Sequence, residues 1–499
     1  MTYWYFSKVV SLKNIQGENM ARNPQVRSKS VMDKVGYGVG AVAFGVKDNG
    51  FGTLLILFYN QALGLPASTV GLAVMISLVV DAVMDPMIGH ISDNWRSKWG
   101  RRHPFMYASI IPTSIGFFLL WNPPESFSHA QLFTYLVLLS ITVRFSISMF
   151  EIPSASLVVE LAEDYDERTS LLSYRSFFGW VAGLTMSIAA FSVFLRPTET
   201  YKVGTLNPEG YATYGLVSAI IMASAMLISS LATHKHIKTF KPTPPSRGLR
   251  AGEALREIFS ALSHNPYLIM VGVTVLGAMA GGLASSMLVY FRLFFWGLTN
   301  DQISIIVAGN FASVAVAVYL ANRLSRSIGK KAGAGLMLFL AMTVNPTLYM
   351  LRVIDVLPPN GSTPLLVILI GASFFNTVFT VVGTILTGSM MADVVEDAQV
   401  KTGRQTPGLY FAANSFALQC VSGAGIILAT TIIDLAGFPV GAKPGEVPQE
   451  TLNRLAIYEV PILVGIYSCA LLCIMLYPIT RERHAANLER LAAKPEPAE

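Results

Sequence analysis

The stretch VGLAVMISLVVDAVMDPMIGHISDNWRSKWGRRHPF, residues 70–105, decides the fold. Its first part, 70–91, is apolar and long enough for a helix to cross the bilayer core, which takes about 20 residues. Two aspartates, Asp81 and Asp85, interrupt it, and a basic loop follows. A carboxylate inside a membrane span is costly unless it is paired, so its presence points to function. The stretch predicts a membrane helix that carries a buried acidic site.

Similar apolar runs recur along the whole chain. Of its 499 residues, 53% are hydrophobic and only 13% are charged, and the mean hydropathy is +0.51. This composition is typical of an integral membrane protein with many spans, embedded in the lipid bilayer. Twelve segments are long enough to cross: Val35–Leu63, Val70–Ile91, Phe105–Trp121, Phe133–Leu157, Leu172–Leu195, Tyr214–Leu231, Tyr267–Phe295, Ile303–Leu320, Ala332–Leu351, Leu365–Met391, Gly408–Leu435 and Ile457–Tyr477.

The distribution of lysine and arginine predicts the orientation. Of the 36 basic residues, 27 lie in the two termini and in the loops on the same side, whereas the opposite loops hold five. Positively charged loops stay in the cytoplasm, so both termini are expected there, in a plasma (inner) membrane protein. The same topology explains the net charge of +6, which needs no nucleic-acid partner.

The chain also repeats itself. ELAEDYDERTSLLSYRSFFG at 160–179 resembles DVVEDAQVKTGRQTPGLYFA at 393–412, at an offset of 233 residues. We therefore expect an all-α integral membrane fold of two pseudo-symmetric six-helix halves. Its predicted parts are a cytoplasmic arm (1–34), an N-terminal half (35–233), a cytoplasmic linker (234–264), a C-terminal half (265–477) and a cytoplasmic tail (478–499). Two glycine-rich runs, one at Gly36, Gly38 and Gly40 and one from Gly277 to Ser286, predict close helix packing.

Asp81 and Asp85 are four residues apart and so lie on one face of a helix. Their charges repel unless a cation lies between them. Sodium would take both carboxylates as metal ligands, and alternatively one acid would carry a proton. The non-functional alternative is that the carboxylates only pair with Arg144 or Arg175.

In span four, Arg144, Ser148 and Glu151 form one stripe. A hydroxyl between two charges is suited to an ion site. Asp48 adds a further acid in span one.

Five segments carry a resemblance to a known family: GYGVGAVAFGVKDNGF (36–51), DAVMDPMIGHISDNWRSKWGRRHPF (81–105), EIPSASL (151–157), EDYDERTSLLSYRSFFG (163–179) and ED(x)3KTGRQTPG (396–408). The chain resembles the glycoside-pentoside-hexuronide cation symporters, the melibiose-permease branch of the major facilitator superfamily. The resemblance implies the major facilitator fold and cation-coupled sugar transport. It also implies three sets of site residues: Asp81, Asp85 and Ser148 for the cation; Asp48, Glu151 and Arg175 for the sugar; and Asp93, Arg101 and Arg102 for a cytoplasmic gate.

The chain departs from sugar-binding members at several of these positions. Ala155 and Thr384 stand where they have stacking tryptophans, Met84 replaces a sodium-site asparagine, and Gln419 replaces a lysine. Arg144 is expected to balance the charge of the acids in place of that lysine, which makes H+ as good a coupling ion as Na+. The thinner aromatic pocket also admits a lysolipid or other amphiphile in place of a sugar.

Other classes of function have less support in the sequence. It contains no ATP-binding loop, metal-binding triad or activated nucleophile, so we expect neither an enzyme nor a cofactor besides the coupling ion. The expected partner is a small solute such as a sugar or glycoside, and nothing requires more than a monomer. A non-transporting membrane receptor or scaffold on the same fold is the alternative from another class.

Overall fold

The computed structural model describes residues 30–162, 165–237, 265–402, 407–479, 482–484 and 486–487. Most of the predicted arm, linker and tail lies outside these residues. Within them, twelve helices are long and apolar enough to cross a membrane. They are α1 (Val31–Ala62), α2 (Ala67–Asn94), α3 (His103–Leu120), α4 (His129–Leu161), α5 (Glu167–Phe194), α6 (Pro208–His234), α7 (Asn265–Phe295), α8 (Asn300–Ser327), α9 (Lys330–Val353), α10 (Thr363–Ala398), α11 (Phe416–Leu435) and α12 (Gln449–Leu476).

The helices pair in the same way in both halves. In the first half α1 packs on α5 and α6, α2 on α4, and α3 on α4 and α6. Adding six to each helix number gives the pairs of the second half: α7 with α11 and α12, α8 with α10, and α9 with α10 and α12. The halves meet where α2 packs on α11 and, symmetrically, where α5 packs on α8. The expected pseudo-symmetric halves are therefore confirmed.

Glycines allow the closest of these contacts. A Cβ added at Gly45 of α1 would lie 2.1 Å from the Gly179 carbonyl oxygen of α5. In the equivalent pair, a Cβ at Gly425 of α11 would lie 2.1 Å from the Met279 oxygen of α7. The packing role predicted for Gly36, Gly38 and Gly40 is also confirmed, because an added Cβ at each would meet neighbouring helices within 2.6–3.0 Å.

The two ends of the bundle differ. We name the end at which α1 begins the terminal face and the other end the distal face. At the distal face Tyr290 of α7 donates a hydrogen bond to Asn60 of α1 at 2.6 Å. The Ala442 amide donates to the Gln61 side chain at 2.9 Å. The largest hydrophobic cluster also joins both halves there, so this face is closed.

Asp434, at the end of α11, completes this closure. Helix α2 begins after Pro66, whose ring has no hydrogen-bond acceptor that could cap the helix. The Asp434 carboxylate accepts hydrogen bonds from the Ala67 amide at 3.2 Å and the Ser68 amide at 2.9 Å. A carboxylate at a helix N-terminus satisfies unpaired amides and interacts favourably with the helix dipole. One half thus supplies the cap for a helix of the other.

We expect Asp434→Ala to open the distal face. Loss of a cap costs about 1–2 kcal/mol, which is about tenfold in the ratio of closed to open molecules. Distances between spin labels on the 122–128 and 354–362 loops would measure that ratio. Glu450→Ala is the matched control, because this exposed acid pairs with Arg454 of its own helix. Equal distance distributions in the two variants would contradict the capping role.

Candidate functional site

A cavity of about 530 Å³ lies between the two halves. Its size falls within the range of about 300–1,000 Å³ that is usual for small-molecule sites. The first half contributes Asp48, Phe51, Gly52, Val74, Leu78 and Arg144. The second half contributes residues of α7, α9, α10, α11 and α12, as far as Ala334 and Ile474 near the terminal face. Both charged lining residues, Asp48 and Arg144, belong to the first half.

The acids of α2 are not among the lining residues, but Asp81 contacts Arg144, which is. Asp81 is 7% exposed, and its carboxylate contacts the Arg144 guanidinium at 3.4 Å. The Ser148 hydroxyl donates a hydrogen bond to its other oxygen at 3.2 Å. The structure brings Asp81, Ser148 and Arg144 together, and the contact with Arg144 agrees both with charge balancing and with the non-functional alternative of an ion pair.

Asp85 is held from the other half of the molecule. Gln419 of α11 donates a hydrogen bond to Asp85 Oδ2 at 2.9 Å. Asp85 Oδ1 and Gln419 Oε1 are buried, and neither has a hydrogen-bond partner among the described residues. Two adjacent oxygens without donors form a site that a cation or a proton would satisfy. Any change at Asp85 also acts directly on a contact between the halves.

Asp48 is the acid most open to the cavity. Its side chain is 51% exposed and pairs at 2.7 Å with Lys47, which is buried. The Arg144 guanidinium lies over the Phe51 ring, 4.7 Å from its centre. Asp48 and Phe51 lie where α1 changes to a π-helical turn at Gly50–Leu54, and such turns are frequent at functional sites.

Glu151 and Arg175 do not line the cavity with Asp48. They pair with each other at 3.5 Å, and Arg175 also donates to the Ser154 hydroxyl at 3.0 Å. Of the three residues predicted to contact the sugar, Asp48 alone is among the described residues that line the cavity. The Glu151 side chain is 30% exposed, so the pair is not sealed in the core.

The predicted gate residues are bound within the first half. Arg102 contacts Asp93 at 3.0 Å and Glu160 at 3.3 Å, and Arg101 donates to Glu160 at 2.8 Å. In the second half Lys330 pairs with Asp393 at 2.7 Å. Asp393 follows Glu160 by 233 residues, so the sequence repeat returns as a repeated ion pair at the terminal face.

No functional role was predicted from the sequence for three further polar residues. Gln419 stood out only as a departure from the sugar-binding pattern, and Asp434 lies at a span end. Glu459 of α12 is 2% exposed, and its Oε2 has no hydrogen-bond partner among the described residues. An acid inside the apolar run IYEVPILVG carries the same signal that identified Asp81, so Glu459 could have been found.

Two six-helix halves around a central charged cavity that is closed at the distal face define an alternating-access membrane transporter of the major facilitator type. The family described as MFS/sugar transport protein matches residues 36–481. The chain belongs to that family.

Individual proteins agree with this assignment. The chain is 21% identical to the lactose permease of Leuconostoc lactis over 95% of this chain and 73% of that protein. It is 23% identical to the sodium-dependent lysophosphatidylcholine symporter 1 of Gallus gallus over 93% and 89%. The crystal structure of the nucleoside transporter NupG covers 90% of this chain and 100% of its own, with a TM-score of 0.59 and 14% identity. This last likeness shows the fold alone.

Proposed function

We propose that the protein is a symporter that uses a cation gradient, of H+ or Na+, to move a sugar, glycoside or uronide by alternating access. The observation that carries this proposal is the acid pair of α2: Asp81 is buried against Arg144 of the cavity wall, and the half-buried Asp85 is bound by Gln419 of the other half. Asp81 and Asp85 would hold the cation, and the Ser148 hydroxyl would supply a further oxygen. Because Gln419 reaches Asp85 from the opposite half, binding of the cation would alter the contact on which rocking depends.

The solute would bind in the central cavity, with Asp48 as its first polar contact. Carboxylates and guanidinium groups form short, directional hydrogen bonds to sugar hydroxyls. Glu151 and Arg175 would join once their ion pair opens toward the solute. Similarity to a lactose permease supports a glycoside as the solute. Similarity to a sodium-dependent lysophosphatidylcholine symporter supports a cation as the driver and fits the alternative of a lysolipid solute.

We further propose that the protein acts as a monomer in the plasma membrane with both termini in the cytoplasm. The closed distal face would then be extracellular. The cluster of Asp93, Arg101, Arg102 and Glu160, with its mate at Lys330 and Asp393, would form the cytoplasmic gate.

Purified protein in lipid vesicles would test the proposal. Sugars, glycosides and uronides are added one at a time outside, while external pH and internal sodium are recorded together. We expect one solute to cause either external alkalinisation, which identifies H+ symport, or sodium entry, which identifies Na+ symport. Solute flux without any movement of either ion, or no flux for the whole panel, would contradict the proposal.

A further inference from the structure

Several glycines of the cavity wall have no packing role in this structure. A Cβ added at Gly277 or Gly281 of α7 would meet no atom within 4 Å, and at Gly383 of α10 the nearest atom is 3.9 Å away. All three line the cavity. The run from Gly277 to Ser286 was predicted to pack helices, but only Gly282 meets its neighbour tightly, 2.3 Å from the Ser422 oxygen. That prediction is wrong for Gly277 and Gly281, because they face the open cavity.

Glycine inside a helix is less favourable than alanine. Where packing does not require it, its remaining effect is to leave space. Because these three glycines have no side chains, the second-half wall of the cavity is flat. The cavity is therefore wider than it would be with larger residues at these positions. This is a feature of the site and not of the helix interfaces.

The same wall is poor in hydrogen-bond donors. None of the lining residues that the structure describes in the second half is charged. Most of its hydroxyls donate to carbonyls of their own helix: Thr274 to Met270, Ser285 to Gly282, Thr384 to Thr380, Thr387 to Gly383 and Ser422 to Gln419. The wall therefore offers a solute few free donors, although these hydroxyl oxygens can still accept. A body bearing many hydroxyls would replace only part of its hydrogen bonds to water there.

The wall formed by the first half, which faces the glycine wall, is charged. It carries the half-exposed Asp48 carboxylate and Arg144, which is 8% exposed. Arg144 Nε has no acceptor among the described residues. Arg144 lines the cavity, so its guanidinium would reach an acceptor on the solute, whereas its Nε is itself enclosed by protein. The cavity is thus charged on one side and apolar on the other.

We propose that the second-half wall is a separate compartment for an apolar body, and that Gly277, Gly281 and Gly383 determine which solutes fit. This inference rests on the proposed transport function and narrows its substrate class. The solute joins a polar head, held at Asp48 and Arg144, to an apolar body on the glycine wall. A glycoside with an alkyl or aryl aglycone and a single-chain lipid both have this chemistry.

The test is a chain-length series bound to the full-length protein in lipid nanodiscs. Methyl, propyl and hexyl glucosides, galactosides and xylosides, together with lysophosphatidylcholine, compete with a fluorescent alkyl glycoside. Burial of one methylene contributes about 0.8 kcal/mol, which is about fourfold in affinity. We expect at least one head group to gain about twofold to fourfold per methylene, or about 30-fold or more from methyl to hexyl. Preference for lysophosphatidylcholine over all hexyl glycosides would identify a lipid as the source of this chemistry.

Variants that fill the wall give the decisive comparison. Gly281→Leu, and independently Gly277→Leu, should abolish the gain with chain length, so that the ratio of hexyl to methyl glycoside affinity falls to about one. Gly465→Leu and Gly371→Leu are matched controls, because an added Cβ also meets nothing there and neither residue lines the cavity. Gly281→Ala should keep or raise thermal stability, which separates a loss of space from a loss of fold.

The outcomes that overturn the inference are distinct from failure of the transport function. Flat affinity along the series for every head group would refute the compartment. Equal losses for methyl and hexyl glycosides in Gly281→Leu would instead assign the glycines to helix packing in another state. Chain-length-dependent binding without ion flux in vesicles would support the compartment and contradict the symport.

Discussion

Concentrative uptake is expected to fall by about 100-fold in Asp85→Asn, near the upper end of typical coupling energies between sites. The asparagine keeps the shape of the side chain and an oxygen that accepts the 2.9 Å hydrogen bond from Gln419. It removes the charge that a cation requires. Solute binding and the exchange of internal for external solute should therefore persist within about threefold. Accumulation, exchange and binding of the same solute would be measured side by side in vesicles.

Asp301→Asn is the matched control for this variant. Asp301 lies in the first turn of α8 at the distal face and is exposed, so its loss should leave accumulation at the wild-type level. Undiminished accumulation in Asp85→Asn would mean that the driving ion binds elsewhere. Equal loss of accumulation, exchange and binding would favour a structural role for Asp85, whereas a receptor or scaffold would show no accumulation in the wild type and would be indifferent to the variant.

Features that depend on a single helix could be predicted from the sequence. Each span needs only length and apolar composition, and Asp81 and Asp85 share a face because they are four residues apart. The repeat at an offset of 233 residues predicted the two halves. It also relates Glu160 to Asp393, which the structure places in equivalent ion pairs.

Features that depend on how helices are rotated against each other could not be predicted in this way. Gly281 and Gly282 are adjacent, but successive residues of a helix point about 100° apart. Both line the cavity, but only Gly282 also packs tightly on α11, although the sequence pattern treats them alike. Asp434 presents a different problem, because it caps α2 only when the distal face is closed. A contact that exists in one conformation leaves no periodic signal in the chain.

Arg144 contacts both Asp81 and Phe51 of the site. We expect its removal to change the affinity for sodium in a direction that shows its role. Its guanidinium lies 3.4 Å from Asp81 and so occupies the position from which a cation would contact that carboxylate. Opposite charges about 4 Å apart interact by about 4 kcal/mol near a protein surface. If Arg144 competes with the cation, Arg144→Gln should raise the affinity for Na+ by about tenfold or more. Sodium-dependent thermal stabilisation of the purified protein would measure it.

Asp81→Asn should lower the affinity for Na+, and it should also lower the stability of the fold. It leaves the Arg144 charge buried without its carboxylate, which costs about 3–5 kcal/mol. The double variant Asp81→Asn/Arg144→Gln should recover most of that stability, because no unpaired charge remains, yet it should not recover sodium binding. Arg196→Gln, which removes an exposed charge at the distal face, is the control.

A lower sodium affinity in Arg144→Gln would show that Arg144 orients Asp81 and does not compete for it. The buried guanidinium would then be needed to hold the carboxylate in place for the ion. The two roles therefore predict opposite signs in one variant. Whether the sodium affinity rises or falls, the free energy of unfolding of the double variant reports separately on the Asp81–Arg144 ion pair. Neither charge of that pair remains in this variant.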